Sequence, residues 1–437
     1  MKKRSSIHKK AEKPLIKKRT RHAEKGAALL WDESFLWGIM AYAALKKLGL
    51  PFKLVRAEDV RAGCLDDYSV IFVPGGWSSN KLKSLGDEGA EAIRGFVRDG
   101  GGYLGFCGGA GLATSDGLGL LDVRRKPTTE RVPSFSGRIR VKTQKHDIWN
   151  GMPDSIFHAW WPPQFGAMGK GIRVLARYGK ALSDSFSSDL NTGDIAITDR
   201  WTELEQIYKI NLDPSRIAGE PTVIEGRYGE GKVILSLIHF DTIDDCSGGI
   251  ILRNLLNYLS NGHGSFKKYE TPKRNPQKRS TSSEPSLSLA IASELESAAS
   301  DLIDLGIRNF LWFWRNPLLL QWRRGVRGLE YCTLYVMIRQ ITVLIQDSLD
   351  PEIEKSLMGL KKKLLPFLRK AAELLMRERI ALQQGHISYE RCDDAAIQAL
   401  REDLFSKSKS YGGQFKELLD EIDCIVCRLL NGQDNCI

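Results

Sequence analysis

Cysteine is sparse in this chain, with eight residues among 437, at positions 64, 107, 246, 332, 392, 424, 427 and 436. That spread excludes a small disulfide-stapled fold and suits a reducing compartment. No run of 18 or more apolar residues occurs, so no membrane-spanning helix is expected. The charged start, Met1-Lys-Lys-Arg4, is not followed by the apolar stretch of a secretory signal. The chain therefore reads as cytoplasmic. It holds no P-loop or other nucleotide motif in its C-terminal part and no repeat of solenoid period. Cys424-Ile-Val-Cys427 has half the spacing of a zinc site, but it lies in an amphipathic helix without a second pair. Neither a metal nor another cofactor is expected.

What the chain does have is the balance of a globular protein, 42% hydrophobic and 27% charged, at a length that implies two domains. The net charge of +11 looks at first like a nucleic-acid signature. Its placement argues otherwise. Residues 1–25 carry a net +9 and residues 264–280 a net +5, which leaves −3 for everything else. Basicity thus belongs to two tail-like segments, which suit weak, salt-sensitive contact with an anionic surface rather than specific nucleic-acid binding.

Residues 1–25 read as a basic disordered tail. From residue 26 to 262, short apolar strands alternate with helices. Strands are expected at 26–31, 52–55, 68–73, 103–106, 221–225 and 231–238, and helices at about 34–48, 88–99 and 248–260. This alternation predicts an α/β fold, a flavodoxin-like, doubly wound and mostly parallel sheet. Between about 120 and 220 the pattern is irregular, and ordered loops above the sheet are expected. Residues 263–288, rich in Pro, Ser, Lys and Arg, read as a linker. Residues 289–437 read as an all-α helical bundle, with helices at about 289–307, 318–348, 351–380, 390–407 and 412–430.

Chemistry concentrates at Gly105-Phe106-Cys107-Gly108-Gly109, directly after a predicted strand. A Gly-x-nucleophile-x-Gly turn presents its nucleophile on a strained backbone at the carboxyl end of a sheet. The helix start that follows would favour negative charge on the sulfur. A lone buried cysteine is the plainer alternative, but two further features support reactivity. His239-Phe-Asp241 ends another predicted strand, and a parallel sheet can bring it beside Cys107 despite the separation. There His239 would serve as base and then acid, with Asp241 orienting its ring. Val73-Pro-Gly-Gly76 ends a third strand. Its amides at Gly75 and Gly76, with that of Gly108, would form an oxyanion hole.

The order Pro-Gly-Gly, Gly-x-Cys-x-Gly, His-x-acid resembles the class I glutamine amidotransferase-like superfamily. FVPGGWSSNKL with IRGFVRDGGGYLGFCGGAGLA is similar, more narrowly, to the amidotransferase-like N-terminal domain of biotin-protein ligases and its free-standing bacterial relatives. The resemblance spans about 26–262 and implies Cys107 as nucleophile, His239 as base and position 241 as third member. That third member is typically Glu in the family and is Asp here. Gly109-Ala110-Gly111 stands where glutamine-specific enzymes carry side chains beside the site. The chain lacks the Gly-Arg-Gly-Arg stretch of biotin ligases, so biotin ligation is not expected.

Candidate pocket residues are Asp32 and Glu33 at the end of the first strand, Trp77, Gly109, and Trp160-Trp161 with His158 as an aromatic wall. Each also has a plainer reading as a turn or packing residue. Arg131 and Arg138 are candidates for a substrate carboxylate, with surface charge as the simpler account. The tryptophan-rich stretch 309–322 suits a membrane interface, a bundle core or a partner-binding face. Two functions follow. One is a cysteine amidohydrolase or amidotransferase acting on a small-molecule amide or peptide-like substrate, with any ammonia acceptor on a separate protein. The other is a non-catalytic ligand-binding or scaffold protein whose helical domain docks a partner or anionic surface.

Overall fold

A computed structural model of the chain describes residues 26–260, 286–345, 350–385, 392–407 and 410–434. The basic tail 1–25 lies outside the described residues, as does the expected linker up to residue 285. Residues 286–288 open the first helix of the C-terminal half.

Elements of the α/β half follow one another as β1 (Ala27–Leu30), α1 (Phe35–Lys47), β2 (Phe52–Val55), α2 (Ala57–Arg61), β3 (Val70–Val73), α3 (Ser78–Arg98), β4 (Gly102–Phe106) and α4 (Gly108–Leu112). Next come β5 (Val123–Arg125), β6 (Phe135–Thr143), β7 (Ile156–Trp160), β8 (Phe165–Met168), β9 (Arg173–Ala181), β10 (Phe186–Ser187) and β11 (Leu190–Asn191). The half closes with α5 (Thr192–Thr198), α6 (Trp201–Tyr208), β12 (Pro221–Tyr228), β13 (Gly231–Ser236) and α7 (Cys246–Leu259).

β1, β3 and β4 are buried along their whole length, as strands covered by helices on both faces must be. They pair in parallel in the order β2-β1-β3-β4-β13, the flavodoxin-like winding. The carboxyl ends of β1, β3, β4 and β13 therefore share one edge, where ligands of such sheets bind. α3 starts at Ser78, well before the expected residue 88, and breaks at Gly86.

Beyond β13 the sheet turns antiparallel through β12, β9, β6, β10 and β11, with β7 also on β6, giving 11 strands. This corrects the expectation of loops over 120–220. β6 carries the alternation of a half-buried strand, and Trp160, expected in a loop, pairs from β7 with Ser136 of β6.

The C-terminal half contains α8 (Leu287–Arg308), β14 (Trp312–Asn316), β15 (Leu319–Trp322), α9 (Gly328–Ile345), α10 (Pro351–Gln384), α11 (Ala395–Phe405) and α12 (Gly413–Asp434). α10 buries Ile353, Leu357, Leu360, Leu364, Phe367, Ala371 and Leu374, the stripe of a bundle helix. The helix expected over 318–348 begins at Gly328, because Asn316 and Pro317 turn the chain into a hairpin. Asn316 Oδ1 accepts from the amides of Leu318 and Leu319, which closes that turn. Among the described residues α9 alone is long and apolar enough to cross a membrane, and 61% of it is buried inside the protein.

The halves meet over the carboxyl edge of the sheet. Arg56 after β2 reaches both Asp32 (3.3 Å) and Asp423 of α12 (3.6 Å). Lys416 of α12 bonds Glu33 at 2.9 Å, and Phe35 packs edge-on against Tyr411.

Candidate functional site

Cys107 sits between β4 and α4 with φ 48 and ψ −103, outside the ordinary regions for a residue with a side chain. Such strain persists only where surroundings enforce it. They do so here through very close backbone contact. A Cβ at Gly108 would lie 1.8 Å from the Gly76 carbonyl oxygen, and one at Gly109 would lie 2.0 Å from that of Val73. The elbow can therefore lie on the Pro74-Gly75-Gly76 turn only as glycine. α4 is a single five-residue stretch, so the helix dipole expected behind the sulfur is short.

The parallel register places Ser236 of β13 opposite Phe106 of β4, and the Cys107 amide donates to Ser236 O at 2.8 Å. Three residues later stands His239, fully buried. Its Nδ1 lies 3.0 Å from Asp241 Oδ1, and Asp241 is also fully buried. The ring also packs 4.9 Å from Trp37, and a Cβ added at Gly75 would lie 3.2 Å from its Cε1. Burial opposes a charged ring, but the Asp241 carboxylate and then the Cys107 sulfur outweigh it, pushing the His239 pKa up to about 9. His239 Nε2 and Asp241 Oδ2 are buried with no hydrogen-bond partner among the described residues. The thiol of Cys107, partly exposed, points toward the carbonyl oxygen of Trp160 at 3.8 Å. The amides of Gly75, Gly76 and Gly108 donate to no backbone acceptor among the described residues. A partly exposed sulfur, a buried imidazole paired with a carboxylate, and amides with no backbone acceptor among the described residues are the groups that acyl transfer through a thioester uses.

The family described as biotin-protein ligase, N terminal, matches residues 65–116, which include the Pro-Gly-Gly turn and the elbow. The PdxT subunit of pyridoxal 5'-phosphate synthase from Koribacter versatilis is 28% identical over 178 residues, covering 37% of this chain and 86% of its own. The α/β half is thus similar to proteins of the class I glutamine amidotransferase-like superfamily. Among solved structures, a protein described as a GMP synthase subunit from Thermoplasma acidophilum is 14% identical, with a TM-score of 0.36 over 55% of this chain and 97% of that one. The β-galactosidase of Bacillus circulans sp. alkalophilus is 15% identical, with a TM-score of 0.35 over 56% of this chain and 32% of that one.

Within this amidotransferase-like half, several expected pocket residues are engaged elsewhere. The Asp32 carboxylate accepts from the Ala57 amide at 2.7 Å and pairs with Arg56, so it ties β1 to the start of α2. Glu33 is taken up by Lys416 and Asn80. Gly109 packs behind the elbow against β3. Trp160 is 2% exposed and its indole N–H donates to Thr242, so its carbonyl rather than its ring faces the sulfur. His158 stacks on Trp160 and bonds Asp245 at 3.1 Å, a packing role. Trp161 and Trp77 remain partly or largely open to solvent. Arg138 forms an exposed pair with Asp184. Arg131 differs. It is half-buried and bonded to Pro163 O and Thr128 Oγ1, and its pKa is held below the usual value by burial and by Arg125, against the pull of Cys107. No group of three His, Cys, Asp or Glu side chains in metal-holding geometry occurs among the described residues.

Sequence reasoning missed Trp37, Lys81, Trp322 and Tyr411. Lys81 is fully buried, donating to Ser34 Oγ at 2.5 Å and Asp32 O at 3.1 Å, and burial pushes its pKa down to about 7 despite Glu33, Asp32 and Asp423. It props the β1 turn against Gly76. Nothing local marks a lysine in a helix's first turns for burial. Its partners come from the turn after β1, 47 and 49 residues earlier in the chain.

Proposed function

We propose that the α/β half is a cysteine amidohydrolase or the amide-cleaving half of an amidotransferase, with Cys107, His239 and Asp241 as its triad. The observation that carries this reading is the fully buried His239–Asp241 pair at 3.0 Å beside a strained, glycine-locked Cys107. In the reaction the Cys107 sulfur attacks a carboxamide carbon, and its oxyanion is held by the Gly75, Gly76 and Gly108 amides. Collapse breaks the C–N bond, and imidazolium His239 gives its proton to the departing ammonia. Water then attacks the thioester while His239 takes a proton, and the sulfur leaves to release a carboxylic acid.

Asp241 stabilises the imidazolium and holds its tautomer through Nδ1. An aspartate in place of the usual glutamate is compatible with this role at the observed 3.0 Å. The described helical half carries no nucleotide motif, and the PdxT relative is itself one subunit of a synthase, so an ammonia acceptor on a separate protein fits best.

The test is iodoacetamide labelling of every cysteine against pH, by peptide mass spectrometry, in wild type and His239→Ala, followed by an ammonia assay on carboxamides. Cys107 is expected to label fastest below pH 7 and to lose that lead without His239. An inert Cys107 in both proteins would sink the enzyme reading and leave a ligand-binding pocket.

A further inference from the structure

The proposed reaction leaves unused a tryptophan that lies against two of its parts. The turn after β1 carries it. Glu33 and Phe35 there take left-handed φ values of 55 and 46, costly for residues with side chains. Neighbours enforce that turn. Ser34 Oγ donates to Leu30 O at 2.9 Å and accepts from buried Lys81 at 2.5 Å, and Lys81 also donates to Asp32 O at 3.1 Å. A Cβ at Gly76 would lie 2.4 Å from Glu33 O, so the turn rests directly on Pro74-Gly75-Gly76. Out of it rises α1, where the Trp37 amide donates to Ser34 O at 2.9 Å.

Trp37 is 6% exposed. Its ring centroid is 4.9 Å from that of His239, with the planes 33° apart. Two rings cannot come so close edge to edge, so part of the indole face covers the imidazole. A Cβ at Gly75 would lie 3.0 Å from Trp37 Cγ, 3.1 Å from its Cδ2 and 3.2 Å from His239 Cε1. Both rings therefore close on Gly75 from the side where a side chain would stand. One indole thus bears on the acid–base ring and on an amide donor of the proposed oxyanion hole. Asp241 and Cys107 are the ionisable groups that act on His239 among the described residues, and Trp37 adds a π face to them.

We infer that Trp37 is a positioning residue of the Cys107 site, holding the imidazolium of His239 against its indole face and the Gly75 amide in the oxyanion turn. This rests on the proposed amide-cleaving reading. A cation within about 6 Å of an indole centroid is attracted by the ring quadrupole, most strongly away from water. That attraction acts on imidazolium and not on the neutral ring. Asp241 holds Nδ1, so Nε2 is the nitrogen that serves the departing ammonia, and Trp37 steadies the ring while it carries the proton.

The test uses the full chain as wild type, Trp37→Phe and Trp37→Leu. The pH at which His239 loses its proton is read by nitrogen NMR of labelled histidine, with its signal assigned from His239→Gln. The same proton loss gives the upper step in the pH–rate profile of Cys107 with iodoacetamide. Both midpoints are expected to fall by about one pH unit in Trp37→Leu, a tenfold loss of proton affinity. They fall by less in Trp37→Phe, whose weaker π face restores part of the attraction. A purely structural tryptophan gives the opposite sign, since a smaller side chain admits water, relieves burial and raises both midpoints. Trp37→Phe keeps aromatic packing on Gly75 and decides the sign if Trp37→Leu does not fold. Midpoints that stay or rise, with wild-type Cys107 reactive, overturn this inference and leave the amide-cleaving reading standing. A wild-type Cys107 that labels no faster than the other cysteines overturns both.

Discussion

His239 and Asp241 stand two residues apart and meet at 3.0 Å, Nδ1 to Oδ1, with neither side chain exposed. Such a pair must carry its protonation state into stability. The His239 pKa rises from 6.5 to about 9 on folding. A raised pKa stabilises fully below the unfolded value and is lost as pH climbs through the folded one. Urea midpoints of wild type and His239→Gln are therefore expected to differ most at pH 6 and to converge by pH 10. A gap that widens with pH would show that the ring is buried neutral.

The same pair bears on rate. Asp241→Asn keeps the volume but removes the charge that holds imidazolium. Amide hydrolysis is expected to fall by roughly 10²–10⁴-fold, the usual worth of positioned acid–base groups. Cys107 labelling at pH 6 falls with it. Circular dichroism and urea midpoints check that the fold survives.

Two glycines make a matched test of the elbow. Gly108→Ala places a methyl 1.8 Å from Gly76 O, where neither backbone can yield cheaply. It should cost several kcal/mol or prevent folding, on the order of 2–4 kcal/mol if the loop shifts. Gly95→Ala in α3 meets nothing within 4 Å and should stabilise by about 0.5–1 kcal/mol. Paired thermal melts read both signs.

The junction of the halves holds its own asymmetry. Burial pushes the Asp423 pKa up to about 8, although Arg56 pulls the other way. The folded state therefore favours protonated Asp423, and ionising it costs stability progressively from pH 4 to 8. Asp423→Asn should be near neutral at pH 4 and stabilising at pH 8, by about 1–4 kcal/mol. Arg56→Ala instead leaves Asp32 and Asp423 without their cation and should cost roughly 2–4 kcal/mol. Urea titrations at both pH values decide it.

The Cys107 elbow, the Pro74-Gly75-Gly76 turn and His239-x-Asp241 were all legible because each is a local statement. A glycine, a strand end and an i, i+2 pair carry their geometry with them. The parallel order of β1, β3, β4 and β13 was equally legible, since uninterrupted apolar runs separated by helices suit little else. The strands between 120 and 220 were not. Antiparallel pairing there joins β6 to β9 and β9 to β12 across long gaps, and proline and glycine obscure the alternation. The hairpin at 312–322 was hidden for a related reason, because tryptophan and leucine suit helix and strand alike until Asn316 turns the chain.

Periodicity and motif chemistry marked the candidate residues and the sheet edge on which they would gather. Tertiary packing decided what surrounds them. Asp32 and Glu33 end β1 at the site's edge, yet Arg56 and Lys416 claim both carboxylates. Trp322 lies 215 residues beyond the nucleophile and reaches Trp161 only because α12 and the hairpin dock on the sheet. Burial and charge pairing between distant segments depend on how two halves fit. No local pattern encodes that fit.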